Sequence, residues 1–327
     1  MRYRRLGRLG WEVSEVGYGM WGIGGGPGGF TGWDYDAAPG CLDEAVELGC
    51  NFFDTAWVYG RGISEQLLGA LLRRHPDRRL YVGTKIPPKN REWPPKPDDR
   101  LDDVYPTDHI REYTQRSLDN LGVSRIDLLQ FHVWEDRWAT EERWQEAITQ
   151  LKREGLVDGV GISVNRWEPT NCMAALDTGL IDVIQAIYNI FDQAPEDDLF
   201  LRAQRDDIGI IARVPFDEGS LTGTLTADST WPPEDWRNTY FGPENLLPSV
   251  ERAERLAADL PDGMTMPELA LRFILHHSAV STVIPGMRRL AHVRANMAVS
   301  DRTPLEEKQL TRLRDHRWDR TPTWWSQ

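Results

Sequence analysis

The chain has 327 residues, 40% hydrophobic and 27% charged, with a net charge of −13; that length buries a large core and suits one big barrel or two medium domains. The acidic balance argues against general attraction to nucleic acid or anionic membrane, and no apolar run approaches the roughly 18 residues of a membrane span. Cys41, Cys50 and Cys172, odd in number and without CxxC spacing, are expected as thiols in a reducing cytoplasm, and the start, Met1 to Gly7, lacks the apolar centre of a signal peptide.

Tyr3 to Ser14 reads as a β-hairpin turning at Gly7 to Gly10. Val16–Gly19 is a first short strand, followed by a glycine-rich loop over residues 22–29. A helical segment closes at Leu48, with Leu42, Ala45, Val46 and Leu48 apolar. Strand Asn51–Asp54 then precedes helix Ser64–Leu72, and strand Tyr81–Lys85 precedes a polar, proline-rich loop from Pro87 to Pro106. Thr107 or Asp108 is placed to cap a helix running to Leu121, ahead of strand Ile126–His132. Helix Thr140–Glu154, strand Gly159–Ser163, helix Pro169–Thr178 and strand Val183–Ala186 come next, then helix Asp197–Asp206 and strand Gly209–Ile211. A long loop, Pro215 to Pro248, leads to helices Ser249–Leu260 and Met266–His276, strand Thr282–Ile284 and helix Leu290–Val299. A last helix, Leu305–Arg317, and a Trp-rich tail stand outside the repeat.

Eight strand–helix units predict an α/β fold: a (β/α)8 TIM barrel with an N-terminal β-hairpin and two extra helices, in a single domain over residues 1–327. A doubly wound open sheet is the alternative. Nothing between residues 100 and 300 resembles an interdomain linker.

Active sites of TIM barrels lie at the C-terminal ends of the strands. Asp54, Lys85 and His132 end the second, third and fourth strands, and Tyr59 lies in the loop after the second. A free phenol, with a pKa of about 10, is a poor proton donor near neutral pH. A nearby ammonium is expected to lower that pKa, and a carboxylate paired with the ammonium keeps the lysine charged. An imidazole can orient a carbonyl. The set forms a proton-delivery device for a carbonyl oxygen whose carbon receives a nucleophile such as hydride.

At these residues the sequence resembles the aldo-keto reductase superfamily. The matching stretches are Tyr3-Arg-Arg-Leu-Gly-Arg, Asn51-Phe-Phe-Asp-Thr-Ala-Trp-Val-Tyr-Gly and Gly62-Ile-Ser-Glu with Leu67-Leu-Gly. Thr84-Lys85, Asp127-Leu-Leu-Gln-Phe-His132, Gly161-Ile-Ser163 and Ile284-Pro-Gly286 follow in family order. The resemblance implies that Asp54, Tyr59, Lys85 and His132 are the catalytic tetrad, with Tyr59 the general acid, and that NADPH delivers hydride from C4 to an aldehyde or ketone. It places Ser163, Asn165 and Gln185 at the nicotinamide carboxamide. Arg213 stands where relatives carry a stacking aromatic, and it is expected to salt-bridge an acid or meet the pyrophosphate. Phe216, Glu218, Gly219 and Ser220 belong to the segment that wraps the pyrophosphate with backbone N–H groups, with Asp217 and Glu218 expected to point outward. Gly286, Arg288, His292 and Asn296 match the adenosine end, where an arginine at a helix start suits the 2′-phosphate of NADP(H). Met20, Trp21, Trp57, Trp93 and Trp134 are the pocket candidates, with Trp324-Trp325 as a cover; aromatic walls favour apolar, flat or sugar-like carbonyl substrates.

Two decoys are set aside. Gly24 to Gly29 fits G-x-G-x-x-G literally, but it contains Pro27 and no amphipathic helix follows. His276-His277 are helix neighbours that point apart, and no metal-ligand spacing accompanies them. A small-molecule carbonyl substrate, without nucleic acid or membrane, is the expected partner. The alternative function is a cofactor-binding, redox-sensing regulatory subunit with little turnover. A metal-dependent barrel hydrolase or lyase is disfavoured by the absent ligand motif.

Overall fold

A computed structural model describes residues 1–25 and 29–320. The alternating pattern resolves into β3 (Tyr18–Gly19), β4 (Phe52–Asp54), β5 (Tyr81–Ile86), β6 (Ile126–Phe131), β7 (Val157–Ser163), β8 (Val183–Ile187), β9 (Gly209–Arg213) and β10 (Val280–Val283), numbered after a hairpin of β1 (Tyr3–Leu6) and β2 (Trp11–Ser14). The eight strands from β3 to β10 pair in chain order, all parallel. Parallel bridges from Val16 to Val283 and from Gly19 to Gly286 bring the first and last strands together. This is the expected (β/α)8 barrel with its antiparallel hairpin.

Alternation along the strands builds the interior in layers. Leu6 and Val13 of the hairpin meet Phe52, Leu128, Val183 and Ile211 in an apolar cluster inside the barrel. Two residues further along the same strands, the inward positions are Asp54, Gln130 and Gln185, all buried. The hairpin therefore closes one end with hydrocarbon, and the polar layer rests on that floor. The outward faces join the larger core beneath the helices, in which Trp134, Trp138 and Trp144 pack edge to face.

Several boundaries differ from the sequence expectation. Helix Pro169–Thr178 shortens to Met173–Asp177. Its start is capped from elsewhere in the chain: the Asp136 carboxylate accepts Ala174 N at 2.7 Å and Ala175 N at 2.9 Å. The helix placed at Ser249 begins at Leu246, because Pro248 lies in the first turn, where its missing N–H would have no intrahelical partner. The helix to Leu121 starts at Thr107 with Pro106 at the cap position and no side-chain cap. The pocket cover Trp324-Trp325 lies outside the described residues.

Gly7 carries the closest approach between hairpin and barrel. Its φ is +46°, and a Cβ there would stand 2.2 Å from Gly209 N. Substitution meets both a left-handed backbone and backbone atoms that cannot step aside. Gly7→Ala is expected to cost about 3 kcal/mol, read as a lower urea midpoint at unchanged slope. An unshifted midpoint would contradict the plug geometry.

Candidate active site

The site is assembled where the polar layer opens toward the loops. Lys85, 1% exposed, donates from Nζ to Asp54 Oδ2 at 2.6 Å, to Thr55 O at 2.8 Å and to Tyr59 Oη at 3.4 Å. Asp54 is surrounded by donors: its Oδ1 accepts Gln185 Nε2 at 2.7 Å and Gln130 Nε2 at 3.2 Å. The His132 ring stands edge-on to Tyr59, with centroids 5.9 Å apart. Four groups separated by up to 78 positions in the sequence thus meet at one rim.

Electrostatics set their protonation. Burial pulls the His132 pKa well below its usual value, and Lys85 and Arg213 push it the same way, so the imidazole is neutral near pH 7. For Tyr59 burial is the largest effect and raises the pKa. Lys85 and Arg213 pull it down and Asp54 pushes it up, and the balance stays above the ordinary value of 10. The net lowering expected from the ammonium alone is therefore not seen: desolvation wins. The phenol holds its proton at neutral pH.

A cavity of about 370 Å³ opens over these groups, lined by Tyr59, His132, Ser163, Asn165, Gln185, Arg213 and Glu218 and walled by Trp21, Trp93, Trp134 and Trp236. Gln185 spends its amide N–H on Asp54. Asn165 is turned to its own loop, with Oδ1 accepting Glu168 N at 2.8 Å and Nδ2 donating to Glu168 Oε2 at 3.2 Å. Arg213 donates to Val164 O at 3.0 Å and makes that hydrogen bond in place of the expected ion pair. Its Nε is buried without a partner, and burial pulls its pKa down to about 10.

The segment after β9 departs from expectation in the direction of its acids. Asp217 points inward and is fully buried, its carboxylate 3.0 Å from Arg166 and 2.7 Å from Arg320 and accepting the Tyr240 hydroxyl at 2.6 Å. Burial pushes its carboxyl up, but Arg320 and Arg166 outweigh that and hold it far below the usual range. Glu218 faces the cavity, where burial pushes its carboxyl up to about 7. Gly219 has φ +132° and nothing within 4 Å of a would-be Cβ, and its N–H donates to Phe216 O at 2.9 Å. Ser220 Oγ donates to Asp217 O at 3.0 Å, and Phe216 packs against the core.

Of the residues expected to meet an adenosine, Gly286 and His292 are exposed, as is the neighbouring Arg289, and Asn296 is buried. Arg288 turns back across Gly22 to donate to Thr31 O. Two pocket candidates stand elsewhere. Met20 is buried, its N donating to Asp54 O at 2.9 Å, and the Trp57 ring packs on Tyr113, at 4.8 Å, beside Arg116. Two residues were missed. Gln130 shares the inward face of β6 with His132 by its spacing of two, which was a readable signal. Trp236 comes from the long loop after β9, where Trp231-Pro-Pro-Glu-Asp-Trp236 marked an aromatic turn. Its N donates to Gly29 O at 3.0 Å, and its ring lies 6.0 Å from Trp21.

The arrangement can hold a carbonyl oxygen between a protonated phenol and a neutral imidazole. Two buried atoms of the set have no partner, His132 Nδ1 and Arg213 Nε, and they fit a polar ligand such as a nicotinamide dinucleotide with its substrate. Among the described residues no cluster could hold a metal ion, and no helix is long and apolar enough to cross a membrane.

The profile of the Aldo/keto reductase family matches residues 15–317, and the chain belongs to that family. It is 30% identical over 321 residues to an uncharacterised oxidoreductase, YqkF, of Bacillus subtilis (strain 168), covering 97% of this chain and 96% of that one. It is 31% identical over 309 residues to the NADH-specific methylglyoxal reductase of Escherichia coli (strain K12), covering 90% and 91%. In structure it is similar to the holo form of the aldo-keto reductase AKR11C1 from Bacillus halodurans, with a TM-score of 0.77 at 26% identity and 98% of each chain covered.

The neutral imidazole is testable. In the folded protein the His132 proton-binding equilibrium lies below its usual value of 6.5, whereas the unfolded chain takes up a proton near that pH. The stability it contributes is full above about pH 6.5 and declines below it. By NMR, the His132 ring signals are expected to show no titration as pH falls through 6.5; a midpoint at or above that value would overturn the assignment.

Proposed function

We propose that the protein is an NADP(H)-dependent reductase of aldehydes or ketones, acting reversibly on the corresponding alcohols. The observation that carries this reading is the Tyr59 hydroxyl 3.4 Å from an ammonium that is itself locked on Asp54 at 2.6 Å, at the mouth of an aromatic cavity. Tyr59 donates its proton to the carbonyl oxygen. Lys85 stabilises the phenolate that remains, and Asp54 keeps Lys85 charged in a buried position. The neutral His132 orients the carbonyl without adding a positive charge. The dinucleotide, when bound, supplies the hydride from nicotinamide C4. Ser163, Gln185 and Arg213 are placed to hold its nicotinamide end, the backbone from Phe216 to Ser220 its pyrophosphate, and Arg288, Arg289, His292 and Asn296 its adenosine end. The four indoles suit substrates that present a flat or apolar face. Three buried free thiols fit a reducing cytoplasm.

Stopped-flow oxidation of bound NADPH by a panel of aldehydes and ketones tests the reading. Tyr59→Phe is expected to lower the hydride-transfer rate by about 10²–10⁴-fold while leaving NADPH affinity within a factor of about two. A regulatory subunit without turnover would leave bound NADPH unoxidised by every carbonyl, and Tyr59→Phe would change nothing.

The choice of NADP(H) rests on the guanidiniums at the start of helix Leu290–Met297, since a 2′-phosphate needs cationic donors. NADPH is expected to bind about tenfold or more tightly than NADH, a difference of about 1.4 kcal/mol, and Arg288→Ala to narrow that gap. Fluorescence titration with both cofactors reads it directly. Equal affinities in the unmutated protein would sink the NADP(H) assignment and leave carbonyl reduction standing.

A further inference from the structure

A second cavity exceeds the one over Tyr59 in volume. A groove of about 840 Å³ lies at the opposite end of the barrel, between the hairpin, the end of helix Met266–His276 and the segment from Val299 to Pro304. Five arginines line it, Arg2, Arg4, Arg5, Arg272 and Arg302, and Asp207 is the one carboxylate among the lining residues. In a chain of net charge −13, such a concentration of guanidinium needs a physical account.

Part of it is structural. Arg4 donates to the carbonyls of Leu275, His277 and Val280, pinning the hairpin to a helix end, where a cation also suits the helix dipole. Arg5 is matched one to one by Asp207 at 2.6 Å, and the Met1 ammonium by Asp301 at 3.1 Å. The remaining carboxylates are shared. Glu15 takes both Arg2 and Arg4, each at 2.8 Å; Glu268 takes both Arg272 at 3.1 Å and Arg302 at 3.7 Å. Each shared acid leaves one guanidinium charge unbalanced. Both excess charges line the same groove, and Arg2 Nη2 donates to the backbone carbonyl of Arg302 at 3.2 Å. Arg272 Nε is buried there with no hydrogen-bond partner.

We propose that this groove binds a small, soluble polyvalent phosphate. A dianion neutralises both unbalanced charges, whereas a monoanion leaves one. Guanidinium forks match phosphate oxygens in pairs. The side chains of Arg2, Arg5 and Arg302 are 50%, 52% and 58% exposed, so their N–H groups can turn to a ligand without dismantling the hairpin clamp, which Arg4 maintains. The site is separate from the cofactor cavity: it is built at the N-terminal ends of the strands, from β1, the residues before β9 and the start of β10.

Calorimetric titration of inorganic pyrophosphate into the full chain, saturated with NADPH so that phosphate-binding groups over Tyr59 are occupied, tests the proposal. Saturable binding of one pyrophosphate per chain is expected, weakening as salt is raised. Arg302→Glu is expected to weaken it about tenfold or more with carbonyl reduction unchanged. Should Arg302→Glu disturb folding, seen as a lowered melting temperature, Arg5→Gln is the second variant and is expected to lose affinity in the same direction. Absence of saturable binding overturns the proposal, and so does undiminished affinity in a folded variant, which would place the pyrophosphate elsewhere. Neither result bears on the catalytic reading.

Discussion

A lysine ammonium sealed inside a protein is tolerated only where its charge is answered at once, and the pairing of Lys85 with Asp54 is the constraint around which this barrel interior is arranged. Removing one partner of such a buried pair typically costs about 3–5 kcal/mol, because the other is left uncompensated. The remaining oxygen of Asp54 also needs donors, and Gln130 and Gln185 supply them. The pair therefore determines residue type on β6 and β8 as well as on β4 and β5. Gly83 sits opposite Asp54 in register; a Cβ there would stand at ordinary contact distance, 3.5 Å from Gln130 Nε2 and 3.6 Å from Asp54 Oδ1.

A second ionic cluster serves the segment after β9. Val214, Asp217 and Glu218 all have positive φ, an arrangement that costs free energy for residues other than glycine and persists when surrounding contacts over-determine it. Here Arg166, from the segment after β7, and Arg320, near the end of the described chain, converge on Asp217. The inward charge of Asp217 is thereby balanced within the protein by two guanidiniums, 3.0 and 2.7 Å away.

Much of this was legible in the sequence. The barrel followed from eight alternating units, and Asp54, Lys85 and His132 from polar residues closing apolar strands. What was not legible depended on contacts between distant parts of the chain. Nothing near Met173 announces that Asp136 caps its helix, and nothing near Asp217 announces Arg320, 103 positions later. The Tyr59 equilibrium failed for a related reason: its charged neighbours could be read from motifs, but the desolvation that outweighs them is a property of the assembled site. Trp57 was misplaced because its motif fixes its neighbours in the chain, while Tyr113 on another helix decides where its ring lies.

The indole walls have an optical consequence. Of the 14 tryptophans, Trp21, Trp93 and Trp236 border the cavity over Tyr59 and are partly exposed, while Trp134, Trp138 and Trp144 pack together in the buried core. Indole emission shifts with the polarity and water content of its surroundings. Any molecule that displaces solvent from this cavity changes the environment of the bordering rings and leaves the core rings as an internal standard. The protein carries its own spectroscopic gauge of occupancy, without an attached dye.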